Sequence, residues 1–215
     1  MLSAFVKTLK KFKFRSVLLA PTGRAAKVLS SYTGQAAYTI HKMIYRQRSS
    51  SDGMGRFELD KNLFKDTFFI IDEASMISNE SAETSIFGSG RLLDDLIEYV
   101  YTGINCKLIL VGDTAQLPPV GLDISPALSA NQLEMYDLNV SEMELTEVVR
   151  QEENSGILNN ATTIRQIITE GNYLGEYFTI ELSGFADVKR IGGAELIDEV
   201  SACYDKYGED RKSVV

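Results

Sequence analysis

Two short stretches of the chain are apolar without a break, Phe68-Phe69-Ile70-Ile71 and Leu108-Ile109-Leu110-Val111, and each runs into an acidic turn. A strand with water on one face alternates apolar and polar residues. These do not alternate, so both faces must be covered, as in parallel sheets with helices packed on each side. Val17-Leu18-Leu19-Ala20 is a third run of the same kind. The spacing predicts strands at 16–20, 67–72, 107–112 and 142–148. Helical periods fall at 1–15, 23–32, 39–45, 91–101, 156–170 and 193–207. Strands alternating with helices require crossover connections, which gives a doubly wound α/β fold with a mainly parallel sheet. Ligands of such sheets lie beyond the carboxyl ends of the strands, so the residues that follow each apolar run carry the functional argument.

One segment departs from that rhythm. Residues 46–66 hold Ser49-Ser50-Ser51-Asp52-Gly53-Met54-Gly55, a turn, followed by the alternating Arg56-Phe57-Glu58-Leu59. They fit a β-hairpin or a surface loop inserted between two units of the sheet. A domain boundary is expected within 135–144, giving a first domain over 1–142 and a second over 143–215.

Composition removes several classes of chemistry. The chain has one histidine and two cysteines, so a zinc site of His and Cys alone could muster three ligands, short of the tetrahedral four. A serine–histidine–acid arrangement would have to use His41, and no nucleophile elbow surrounds a serine. Cys106 and Cys203 are far apart in sequence, which is no disulfide framework and points to a reducing, cytoplasmic setting. No apolar stretch approaches the roughly 20 residues of a membrane span.

The net charge is −8, but it is unevenly divided. Residues 1–65 carry 13 basic and three acidic side chains, and the remainder carries nine basic and 27 acidic ones. The amino-terminal part is thus +10 and the rest −18. Such asymmetry fits contact with a polyanion through the basic part, or simply a solvated basic face. Residues 1–15 are basic and amphipathic, a composition shared by transit peptides and by ordinary domain helices.

Five motifs carry chemistry. In Phe68-Phe69-Ile70-Ile71-Asp72-Glu73-Ala74-Ser75 a buried strand delivers two carboxylates. One can hold Mg²⁺ and its neighbour can activate a water, although an acidic pair at a strand end also serves as a turn or cap. Leu108 to Val120 reads LILVGDTAQLPPV, in which Gln116 sits on a loop stiffened by Pro118-Pro119. A neutral amide there can bond a terminal phosphate or the attacking water. Val17 to Ala26 reads VLLAPTGRAA, a strand passing through Pro21-Thr22-Gly23 into a helix with Arg24 and Lys27 nearby, a start suited to phosphates. Thr39-Ile40-His41 opens another helix, and His41 fits either a base contact or a satisfied structural histidine. Glu144 to Gln151 ends in Arg150, placed either as a finger on a γ-phosphate or in an ion pair with Glu147 or Glu152.

In this order the motifs resemble superfamily 1 DNA helicases of the RecD/Dda-like, 5′→3′ branch, including the exodeoxyribonuclease V alpha subunit. The resemblance runs through about residues 16–151, and the DEAS and GDTAQLPPV blocks are its most specific parts. It implies a RecA-like P-loop NTPase motor domain, with the start of a second such domain after residue 142. It places Pro21, Thr22 and Arg24 on the grip for single-stranded DNA. It makes Asp72 the Mg²⁺ ligand, Glu73 the catalytic base, Gln116 the γ-phosphate sensor and Arg150 the arginine finger, with ATP and Mg²⁺ as cofactors. It also implies a pin at 46–66 that splits duplex at a junction, a role in DNA repair, no membrane, and helicase–nuclease partner subunits.

The departures matter as well. No G-x-x-x-x-G-K-[ST] occurs in the sequence. The resemblance puts that loop just upstream of residue 1, which makes 1–15 the helix that follows it, and the family's motifs V and VI are missing. The chain is accordingly expected to be part of a longer helicase, inactive by itself. The rival readings are a non-catalytic nucleic-acid-binding module on a RecA-like scaffold, and a P-loop ATPase acting on proteins.

Overall fold

The computed structural model describes residues 1–48, 56–79, 85–145, 155–170 and 179–207. They form two compact units, Met1–Met143 and Glu144–Val215.

In the first unit the elements follow as α1 (Leu2–Lys11), β1 (Arg15–Ala20), α2 (Gly23–Thr33), β2 (Ala37–Thr39), α3 (Ile40–Ile44), β3 (Tyr45–Arg48), β4 (Arg56–Leu59), β5 (Thr67–Ile71), α4 (Leu92–Thr102), β6 (Lys107–Leu110) and α5 (Ala130–Glu134). A four-stranded sheet runs β2-β1-β5-β6, with every neighbouring pair parallel. The three apolar runs are thus its three principal strands. Alternate residues go to opposite faces. Leu18 and Ile70 pack with Leu2, Val6 and Leu9 of α1 and Leu29 of α2. Leu19, Phe69 and Ile71 pack with Ile40 and Ile44 of α3 and with Leu93, Leu96 and Val100 of α4. Leu18, Leu19, Phe69, Ile70 and Ile71 are wholly buried. Burial of each is worth about 1.5–3 kcal/mol, which is why these runs tolerate no polar residue.

Helix α1 ends four residues before the end of its predicted span. Lys13 adopts a left-handed φ of 62°, and the Phe14 amide reaches back to the Leu9 carbonyl at 2.9 Å. This closes the helix in a Schellman turn and releases the chain into β1. Strand β2 has no counterpart among the predicted strands. Its three residues are too few to show a period, and only pairing with Leu18–Ala20 defines it.

The inserted segment is a hairpin. β3 and β4 pair antiparallel, with Tyr45 opposite Leu59 and Arg48 opposite Arg56. Its ion pairs, Arg46–Asp60 at 2.6 Å and Arg48–Glu58 at 3.0 Å, are solvent-exposed and contribute little. Anchorage comes from below. Phe57 lies 4.7 Å from Phe87, and the Gly88 amide donates to the Phe57 carbonyl at 2.7 Å. The Tyr45 hydroxyl donates to buried Asp95 at 2.6 Å, and Asp95 also accepts the Ser89 amide at 3.0 Å. Burial, reinforced by Asp95, pushes the Tyr45 phenol upward from its ordinary value, so it stays a donor. Gly88 has φ +45°, and a Cβ there would stand 2.1 Å from an Asp95 oxygen. Asp95→Ala strands the Tyr45 hydroxyl and the Ser89 amide, and should destabilise this unit by roughly 2–4 kcal/mol in urea unfolding.

The second unit contains α6 (Gly156–Glu170) and α7 (Leu196–Tyr207). Asp187 accepts the Ser155 hydroxyl at 2.7 Å and the Gly156 amide at 2.8 Å, which satisfies the first turn of α6. Buried Asn160 bonds both the carbonyl and the amide of Glu181. The strand predicted at 142–148 does not form over its described part. Residues 142–145 are irregular and exposed, and 146–148 lie outside the described residues. Their alternation of apolar and charged residues has no neighbouring strand to pair with among the described residues.

Candidate functional site

Backbone hydrogen bonds hold together the turns that leave the carboxyl ends of β1, β5 and β6. The Asp72 amide donates to Leu19 at 2.9 Å, the Val111 amide to Ile71 at 2.8 Å and the Ala74 amide to Val111 at 2.9 Å. The ladder therefore continues past the strands, and the acidic turn sits between its two neighbours. Glu73 takes a left-handed conformation, φ 57° and ψ 39°, which a non-glycine residue adopts at an energetic cost. The cost is met locally. Buried Ser125 places its hydroxyl 2.9 Å from the Ala74 carbonyl and 2.6 Å from that of Ile77, clamping the single helical turn that follows. A Cβ on Gly112 would lie 2.9 Å from the Ser75 amide and 2.8 Å from Leu128, so only glycine lets the two turns approach this closely.

Asp72 and Glu73 are both half-buried at this edge. The Tyr32 hydroxyl, from the last turn of α2, donates to Asp72 at 2.7 Å. Ser75, 2% exposed, keeps a hydroxyl oxygen with no hydrogen-bond partner among the described residues. Gln116 stands exposed on the loop beyond β6, where its backbone N–H closes a turn onto the Asp113 carbonyl at 3.1 Å and the Asp113 carboxylate accepts the Ala115 backbone N–H at 3.0 Å. Arg150 lies outside the described residues.

The β1 turn leads to the basic helices. Thr22 caps α2 by accepting the Ala25 amide at 3.2 Å, which leaves its own hydroxyl proton available to a ligand. Thr39 caps α3 in the same way through Lys42. Pro21 is half-buried, while Arg24 and Lys27 are exposed. A groove of about 510 Å³ opens beside them, lined by Lys27, Ser30, Ser31, Tyr38 and Lys42. The Lys42 ammonium sits 5.4 Å from the Tyr38 ring.

His41 is not in this groove's lining. Its ring meets Phe87 edge-on at 5.0 Å and lies 5.7 Å from Tyr45. Burial lowers its pKa from the ordinary value. A folded-state value below the unfolded one means that protonation favours unfolding. Stability from this site should therefore be complete above about pH 6.5 and decline as pH falls through the lowered value. The check is urea unfolding at several pH values beside His41→Gln, which should lose that part of the slope.

Tyr32, Tyr38 and Ser125 belong to none of the sequence motifs. Tyr32 and Asp72 are 40 positions apart, and Ser125 and Ala74 are 51 apart, so no local pattern links either pair. Tyr38 carries a faint signal, an aromatic directly before Thr39-Ile40-His41.

A family model described as an AAA domain matches residues 1–170. The chain belongs to the AAA domain family. A curated relative of this AAA domain is the ATP-dependent RecD2 DNA helicase of Deinococcus radiodurans, 31% identical over 144 residues. That alignment covers 67% of this chain and 17% of the relative, so the chain spans about one sixth of the relative's length. The parallel sheet, its flanking helices and this kinship make the fold that of a RecA-like P-loop NTPase and the AAA domain a RecD-like member of the helicase family. Among the described residues, no helix is long and apolar enough to cross a membrane.

Proposed function

We propose that this domain is the nucleotide-hydrolysing and DNA-gripping part of an ATP-dependent helicase that moves along single-stranded DNA and opens duplex. The observation that carries the reading is the convergence of three turns on one sheet edge. Asp72 and Glu73 lie beside the Gln116 loop on one side and the Pro21–Lys27 turn on the other.

The donor set fits Mg²⁺ with a nucleotide triphosphate. Carboxylate oxygens are its preferred protein ligands, and it commonly keeps one or two of them with waters and phosphates completing the shell. The buried Ser75 hydroxyl, unpartnered among the described residues, is a further polar group beneath the turn. When bound, Mg²⁺ neutralises charge on the transferred phosphoryl group. Asp72 would hold it, and Tyr32 keeps that carboxylate in place. Glu73 would accept a proton from the attacking water, and Gln116 would orient that water or the γ-phosphate. Arg150 is proposed as the finger that completes charge stabilisation.

On the DNA side, Thr22, Arg24 and Lys27 would bind consecutive phosphates and Pro21 would fix the turn that presents them. Lys42 and Tyr38 extend this track. His41, neutral and packed on Phe87, would serve chiefly to hold α3 in place. The hairpin is proposed as the wedge at a duplex junction. The unit Met1–Met143 is proposed as the first motor domain and Glu144–Val215 as the beginning of a second.

The test is a fluorescence titration of labelled oligonucleotide against the 215-residue chain. Affinity should fall steeply between about 50 and 200 mM salt, and Arg24→Glu should weaken it while flattening the salt slope. Salt-independent binding, or binding indifferent to Arg24→Glu, would remove the proposed DNA track.

A further inference from the structure

We propose that a groove at the opposite edge of the sheet, where the parallel strands begin, is a second and separate contact for single-stranded nucleic acid. The choice of a polynucleotide rests on the function proposed above; the groove itself does not. It encloses about 590 Å³ and is lined by four cations, Lys13, Arg15, Lys65 and Lys107, against one acid, Asp66. Asp66 is engaged by the Asn105 side chain at 2.7 Å. None of the four cations forms an ion pair among the described residues. Three neighbouring strands deliver them. Arg15 starts β1, Lys65 precedes β5 by two residues and Lys107 starts β6. Strands in a sheet stand about 4.8 Å apart, so these three strand starts gather the charges around one end of the sheet.

Aromatic rings are interleaved with those charges. Phe12-Lys13-Phe14-Arg15 alternates ring and charge; Phe12 is 67% exposed and Phe14 51%. Phe14 meets Phe68 edge-on at 5.5 Å, which fixes its ring at the groove wall. Leaving two phenylalanines in water is unfavourable unless something covers them, and a cluster of cations selects an anion to do so. Sites that combine a basic track with stacking rings take single strands without reading sequence, because every base has a face to stack. An acidic peptide would satisfy the charges, but Phe12 stands at the rim as an open ring, not as the wall of a pocket closed around a side chain.

The backbone adds a related point. Lys13 occupies the left-handed position after α1 where glycine is most at ease. A lysine there keeps a charge at the groove despite the conformational strain.

The experiment uses the full chain and a labelled oligothymidylate. In an Arg24→Glu, Lys27→Glu background, residual low-salt binding should persist. Adding Lys13→Glu and Lys107→Glu should weaken that remainder about tenfold or more and lower its salt slope by about 0.7 for each phosphate no longer neutralised. Phe12→Ala alone, at an exposed ring, should weaken it with the salt slope unchanged, and circular dichroism would confirm that each variant folds. Loss of all binding on Arg24→Glu, Lys27→Glu overturns the second contact and leaves the first intact. Binding abolished by the groove changes alone supports the groove and overturns the first track. Residual binding that ignores both sets of groove changes, or that an acidic phenylalanine-containing peptide displaces while poly-thymidylate does not, also overturns the proposal.

Discussion

Glu73→Gln should cut ATP turnover about 10²–10⁴-fold when this domain is joined to a phosphate-binding loop, with single-stranded DNA affinity essentially unchanged. The amide has the shape of the carboxylate but cannot take a proton from water. The left-handed turn that presents residue 73 is set by Ser125 and by the Ala74–Val111 hydrogen bond, and neither depends on the carboxylate. The substitution therefore removes a proton acceptor and leaves both of these contacts in place. Loss of turnover without loss of grip is the signature of a group used in the chemical step. Phosphate release and oligonucleotide titration on the same preparation provide the check. Near-normal turnover in the variant would mean that another group is the base.

The 215-residue chain as it stands should bind Mg·ATP no better than weakly and release no measurable phosphate. Backbone amides of a glycine-rich loop and its lysine supply most contacts to the β- and γ-phosphates, and the sequence has no such loop. Asp72, Glu73 and Gln116 act on a nucleotide that is already held. Titration calorimetry measures this directly. Micromolar affinity would show that some other segment cradles the phosphates, and the roles assigned along this edge would need to be redrawn.

The parts legible in the sequence are those governed by local periodicity and by burial on two faces. Uninterrupted runs such as Phe69–Ile71 have one physical solution, a strand, and they form β1, β5 and β6. Strand β5 is covered on both sides, whereas Leu108–Leu110 of β6, at the end of the described sheet, stay half-buried where full burial is expected. Helix limits are less legible where a single residue changes conformation, as Lys13 does at the end of α1. Strand β2 is too short to carry a period, and residues 142–145 have a strand-like pattern without a partner among the described residues. At the site, the acidic turn and the Gln116 loop are visible because each follows an unbroken apolar run. Tyr32 and Ser125 are not, because contacts spanning 40 and 51 positions arise only once the sheet is assembled. The same holds for the basic groove at the strand starts, whose cations come from three separate connections.

The most direct measurement of a motor on single-stranded DNA is ATP hydrolysis with and without that DNA, in a chain that joins this domain to a phosphate-binding loop. Turnover should rise on addition of oligonucleotide. Arg24→Glu should raise the DNA concentration needed for half-maximal stimulation and leave the DNA-free rate alone. Hydrolysis that proceeds at the same rate with and without DNA, in both proteins, would contradict a coupled grip and nucleotide site on this sheet edge.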